Sequence, residues 1–179
     1  MGTHSMSFEV TWSIKRTSTY MSRNGVFGYI GFKKDGDFFL KSSINKPIYF
    51  GHFIITDMQV VLESATDLID GENQVIMQAV PEVGLLIATK INGELEIAYG
   101  AEHLQSGDKY EITSKNWSRA RKIRVWAKNT VELRDYVRAI LKAGKELVDH
   151  VLSKNPELRN EIENVIRAIS NLEIKSKSL

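Results

Sequence analysis

The chain has no cysteine, only three prolines in 179 residues and no apolar run of eighteen. Without thiols it can form no disulfide, no thiolate metal site and no cysteine nucleophile, which fits an intracellular, cytoplasmic protein. Without a long apolar run it offers no helix able to span a bilayer, so no membrane partner is expected. Histidine is nearly as scarce: His4, His52, His103 and His150 stand far apart, and none belongs to a two-histidine zinc motif. A phosphate-binding glycine loop is missing as well. Gly25, Gly28 and Gly31 have the wrong spacing for one and fall in a strand pattern, where glycines mark bends or close backbone approach. The acids Asp67, Asp70 and Glu72 gather where a helix should end, and a solvated turn around Asp70-Gly71 is a better reading than a cation site. No acid–base or metal constellation is visible, so the sequence predicts no enzyme, no cofactor and no bound metal.

What the chain does have is segregated charge. The net value is +2, yet residues 6–56 carry +4, residues 57–104 carry −8, residues 105–145 carry +7 and residues 146–179 carry −1. Blocks of this kind fold into basic and acidic faces if the two basic blocks meet in space. Plentiful Ile, Lys and Glu with little Gln is the composition of a thermophile. The opening Met1-Gly2-Thr3-His4-Ser5 reads as a remnant of an expression tag, so fold reasoning starts at Met6.

Two hairpins share one design. Val26–Phe32 leads through Lys34-Asp35-Gly36-Asp37 into Phe38-Phe39-Leu40, and Gly84–Thr89 leads through Ile91-Asn92-Gly93-Glu94 into Leu95-Glu96-Ile97. Asp-Gly and Asn-Gly between apolar strands favour two-residue turns, because both central residues must take positive φ. An opening strand precedes each hairpin, Phe8–Ile14 and Gln74–Val80. A further strand and a helix follow each: Ile48-Tyr49-Phe50 before the Met58, Val61, Leu62, Ala65, Ile69 pattern, and Ile123-Arg124-Val125 before Leu133, Tyr136, Val137, Ile140, Leu141. Thr56 with Gln59 and Asn129 with Glu132 resemble capping boxes at the two helix starts. The sequence therefore predicts an α+β fold of two ββββα repeats, with antiparallel sheets packed on helices and a C-terminal helical hairpin. The copies span about 8–72 and 73–153 of a domain at 6–153, followed by a helix and tail at 154–179. The second copy carries an insertion of eighteen residues before its helix, with one extra strand expected at 109–113.

Two ββββα repeats are similar to the organisation of the PUR-repeat and Whirly families. The helix start Val131-Glu132-Leu133-Arg134-Asp135-Tyr136-Val137 resembles the opening of a PUR-repeat helix, which typically reads Val-Glu-Phe-Arg-Asp-Tyr-Leu. The helix of the first copy lacks the Arg-Asp-Tyr element, and the lysine-rich Whirly signature is absent. What the resemblance implies is a mode of action, binding of single-stranded nucleic acid on a sheet surface, and no individual contact residue.

The residues themselves point the same way. From Lys115 to Lys128 the chain has six basic residues, two tryptophans and no acid in fourteen positions. Cations neutralise phosphates and release counterions, while aromatic faces let unpaired bases stack. Lys115, Arg119, Arg121, Lys122 and Arg124 are the expected phosphate contacts, and Trp117 and Trp126 the expected stacking surfaces. By strand alternation Lys122, Arg124 and Trp126 share one face, with Ile123 and Val125 on the other. On the first hairpin Phe27, Tyr29, Gly31 and Lys33 share a face in the same way, so Tyr29, Lys33 and Lys34 are expected to prolong the track. The expected function is binding of single-stranded DNA or RNA with low sequence specificity. The competing reading of the same run is a basic strand entering a sheet with its tryptophans in the core.

At the C-terminus Leu133, Val137, Ile140, Gly144, Leu147 and Val151 mark one long helix, and Asn155-Pro156 should end it and start another. Leu158, Ile162, Val165, Ile169 and Leu172 then recur at coiled-coil spacing. That seam either closes a hairpin within the chain or contributes to a homodimer interface. Lys175–Leu179 is expected to fray. The alternative function is a protein-interaction module, a dimer or complex subunit joined through acidic and basic faces. A small-molecule pocket between a curved sheet and the long helix is a third.

Overall fold

The computed structural model describes residues 7–15, 26–78, 84–102 and 123–179. The fold is mixed α+β, and the described residues form two antiparallel sheets and three α-helices. Strands β1 (Phe8–Ile14), β2 (Gly28–Lys34) and β3 (Asp37–Phe38) form a sheet of order β1-β2-β3. Strands β4 (Gln74–Gln78), β5 (Gly84–Ile91), β6 (Glu94–Glu102) and β7 (Ile123–Val131) form the second, in sequential order. Helix α1 (Ile54–Ile69) follows the first sheet, and α2 (Leu133–Lys154) follows the second.

Both tight turns fall where the glycine signals place them. Asp35 and Gly36 have φ of 53° and 82°, Asn92 and Gly93 of 51° and 89°. The flanking pairs Lys34–Asp37 and Ile91–Glu94 close two-residue hairpins. The expected fourth strand of the first half is reduced to single bridges, Phe27–Phe53, Ile30–Phe50 and Lys41–Pro47. The extra strand expected at 109–113 lies outside the described residues.

One core joins both halves. Ile30 and Phe32 of the first sheet, Met77, Leu86 and Ile97 of the second, and the apolar stripes of all three helices form a single cluster. The helices are interleaved with the sheets. α1 packs against β2 and β4, while α2 returns along β1, with the Tyr136 ring 6.1 Å from Phe8 and His150 5.2 Å from Trp12. A smaller cluster of Ile76, Leu85, Ile87, Ala98 and Ile123 occupies the opposite face of the four-stranded sheet.

Helix boundaries differ from the sequence expectation. α1 starts at Ile54 with no side-chain cap. Its order comes from Asp57, a buried carboxylate that accepts the His52 N–H at 2.6 Å while Gly51 turns at φ 111°. Asn129 lies inside β7 and donates its amide to the Phe39 carbonyl at 3.2 Å, so it does not cap α2. Asn155 does cap, accepting from Glu157 N–H at 3.0 Å ahead of a 3-10 turn at Pro156–Arg159. Helix α3 (Glu163–Ser176) then packs on both α1 and α2. Leu158, Ile162, Val165, Ile169 and Leu172 are buried in the main core, so these residues of the seam are covered within the chain. Lys175 lies in that helix and bonds Asp70 at 2.6 Å, instead of fraying, and so ties α3 to the end of α1.

Candidate nucleic-acid interface

The alternation of β2 divides its side chains cleanly. Ile30 and Phe32 enter the core, while Phe27, Tyr29 and Lys33 occupy the outer face, opposite Lys15, Ser13 and Glu9 of the β1 side. Gly31 sits among them. The segment that leads into α1 lays more aromatics over this face. Tyr49 stands 6.0 Å from Tyr29 and 5.7 Å from Phe38, ring centre to ring centre. Phe27 continues the row toward His52 and Phe53, at 5.2 and 5.5 Å.

Cations bracket this row. Lys15 Nζ lies 4.7 Å from the Tyr29 ring centre and Lys33 Nζ lies 5.1 Å from that of Phe38, both within cation–π range. Lys41 is engaged differently, in an ion pair with Asp37. That hydrogen bond, with a second from the Phe38 N–H, holds the Asp37 carboxyl below its usual value. Lys34 points away from the row and donates to the Thr130 carbonyl at 3.1 Å. The expected partnership of Lys33 and Lys34 is therefore split between the two faces. The Lys34 bond also brings the C-terminal end of β7 against the first hairpin, so the two basic blocks of the sequence meet.

A second patch lies on β7. Here the register shifts: Tyr99 pairs with Ala127 but Gly100 pairs with Val125, leaving Trp126 as the extra residue of a β-bulge. A β-carbon on Gly100 would come within 2.3 Å of the Arg124 carbonyl oxygen, so glycine permits the bulge. The bulge turns Trp126 onto Tyr99, with ring centres 5.6 Å apart, and leaves it half exposed. Val125 and Ile123 face the smaller apolar cluster, as alternation predicts, and Arg124 is exposed beside the Ala101 pairing. Lys128 is paired with Glu96 at 3.2 Å. Trp126 is three residues, roughly 10 Å of strand, from Asn129, where β7 touches the first hairpin.

Of the expected contact residues, Tyr29 and Lys33 share the outer face of the first sheet, and Arg124 and Trp126 share the bulged end of β7. Lys115, Trp117, Arg119, Arg121 and Lys122 lie outside the described residues. Sequence reasoning missed Lys15, Phe38 and Tyr49. Lys15 was legible as the outward neighbour of Ser13 in an alternating strand. Tyr49 was not, because its position depends on a segment with no regular ladder. Among the described residues no group of three His, Asp or Glu side chains is placed to hold a metal ion. No helix among them is long and apolar enough to cross a membrane. Comparison with family models, with curated proteins and with solved structures gives no match to this chain.

Proposed function

We propose that this chain binds single-stranded nucleic acid with low sequence preference, and that binding rather than catalysis is its activity. The observation that carries the reading is the outer row Phe27, Tyr29, Tyr49 and Phe38 with Lys15 and Lys33 over its rings. Stacking on such rings is tolerant of base identity because every base has a π-face, and the cations serve the phosphates. Exposure supports it too. Among the described residues, Tyr49 and Trp126 are the aromatics left most open, at 42% and 50% exposure, and both belong to cation-bearing patches. Most aromatics of that size are largely buried. Sheet-surface binding is also the mode that the resemblance to PUR-repeat and Whirly proteins implies, with the cytoplasm as the expected setting.

The experiment is fluorescence anisotropy with labelled single-stranded and duplex oligonucleotides over a salt series. Micromolar binding to single strands that weakens with salt, and weaker binding to duplex, is the expected result. No binding at low salt would reduce the row to packing and overturn the reading.

A further inference from the structure

Among the described residues strand β1 ends the three-stranded sheet, and its hydrogen-bonding pattern follows from both ends of the ladder. Asp35 N–H donates to Ser7 O at 2.8 Å, and Lys15 N–H donates to Phe27 O at 3.0 Å. Antiparallel residues alternate between bonded and non-bonded pairs, so the odd-numbered residues of β1 direct their backbone groups to β2. The N–H and C=O groups of Phe8, Val10, Trp12 and Ile14 therefore point off the sheet. Among the described residues no hydrogen bond reaches them.

Alongside this edge runs α2. A groove of about 510 Å³ separates the two, lined by residues 7–12 on one side and by Asp135, Arg138, Ala139, Lys142 and Glu146 on the other. Its lining takes in six consecutive residues of this segment, inward and outward positions alike, which locates it along the backbone edge rather than over a sheet face. The other sheet edges are blunted. β3 has two residues, β4 has five, and β7 carries Arg124, Lys128 and a bulge. β1 has seven residues with no proline, no basic side chain and no bulge.

We propose that this groove takes an extended peptide, which adds to β1 as a further strand and carries an acidic side chain near its middle. Backbone donors and acceptors at strand spacing recognise a polypeptide rather than a small molecule. The acidic preference follows from α2. Arg138 and Lys142 sit one turn apart at the centre of the wall, with side chains 74% and 75% exposed. They are loosely held by Asp135 at 3.7 Å and Glu146 at 4.0 Å, toward the two ends, and the remaining charge of the lining, Glu9, stands on the β1 side opposite Lys33, at an outer-face position of the sheet. A second copy fits less well than a lone strand, because its own α2 would enter the same groove.

The test is amide NMR of the full chain with the capped heptapeptide Thr-Val-Thr-Glu-Thr-Val-Thr. In the free chain the amides of Phe8, Val10, Trp12 and Ile14 should exchange rapidly. With peptide they should shift and become at least about tenfold protected, and a peptide N-methylated along its pairing edge should do neither. Joint Arg138→Glu and Lys142→Glu substitution should weaken the peptide about fivefold without unfolding an exposed helix face. Three results would each overturn the proposal: protection already complete in the dilute free chain, protection that grows with protein concentration alone, or no change at millimolar peptide. A single-stranded oligonucleotide should instead move the Tyr29 and Tyr49 signals. Its failure to do so would count against the nucleic-acid reading and leave the peptide groove standing.

Discussion

The ring of Tyr49 sits over Gly31, so close that a β-carbon there would come within 3.2 Å of two ring carbons and within 2.9 Å of Thr11 Oγ1. The missing side chain is what lets the ring lie against the sheet between Tyr29 and Phe38. Gly31→Ala must push Tyr49 outward by a few tenths of an ångström and turn the Thr11 hydroxyl. We expect a stability loss of about 1 kcal/mol by urea titration and a several-fold loss of oligonucleotide affinity by anisotropy. Undiminished affinity would remove Tyr49 from the contact surface.

Charge and stacking make separable predictions. Replacing Lys15 and Lys33 together by Gln should flatten the slope of log affinity against log salt by about 0.7 for each phosphate left without its cation. Trp126→Ala should weaken binding by about 1–3 kcal/mol with little change in that slope. Lys128→Gln should do much less than either lysine of the outer row, because its charge is already paired with Glu96. Equal effects at all three lysines would mean a diffuse field and no defined track.

Asp57 connects the fold to the same face. Its buried carboxylate accepts the His52 N–H at 2.6 Å and fixes the segment that carries Tyr49. Asp57→Ala should cost about 2–3 kcal/mol in chemical denaturation, as expected for a buried hydrogen bond to a charged group. Asp57→Asn, which keeps an acceptor oxygen, should cost less. The two variants should lose oligonucleotide affinity in the same order.

Tyr136 sets an alkaline limit. The residue is fully buried, and burial pushes its phenol well above the ordinary value. The unfolded chain releases that proton near pH 10, whereas the folded chain keeps it. Stability is therefore full below about pH 10 and falls as pH rises beyond it, by up to about 1.4 kcal/mol per pH unit. Ultraviolet titration should show one of the six tyrosines ionising only on unfolding. Tyr136→Phe should abolish this, and at neutral pH should change stability by less than about 1 kcal/mol, because among the described residues the hydroxyl's hydrogen-bond partner is the Met77 sulfur at 4.0 Å.

Much of the fold was legible because its signals are local. Asp35-Gly36 and Asn92-Gly93 require positive φ whatever surrounds them, and β1 alternates from Phe8 to Ile14 without a break. The outward face of Tyr29 and Lys33 followed from the same period of two. What stayed hidden depends on partners distant in sequence. Nothing in the run from Arg124 to Lys128 announces that Gly100 of the neighbouring strand will admit an extra residue at Trp126. The Asn129–Glu132 spacing reads as a helix cap until the Phe39 carbonyl, ninety positions away, claims the amide. The heptad seam of α3 is plainly apolar in sequence, but spacing cannot say whether its cover comes from α1 and α2 or from another molecule.

The interleaving of helices and sheets decides how the chain can be divided. α1 packs on β2 of its own half but also reaches β4, and α2 lies along β1, so each half takes part of its cover from the other. Fragments 7–72 and 73–179 should each remain unfolded when expressed alone and recover structure when mixed, as complementing halves. The intact chain must bring β1 to α2, more than a hundred positions apart, to complete the cover of the first sheet. It should therefore refold slowly for its size and unfold in a single step.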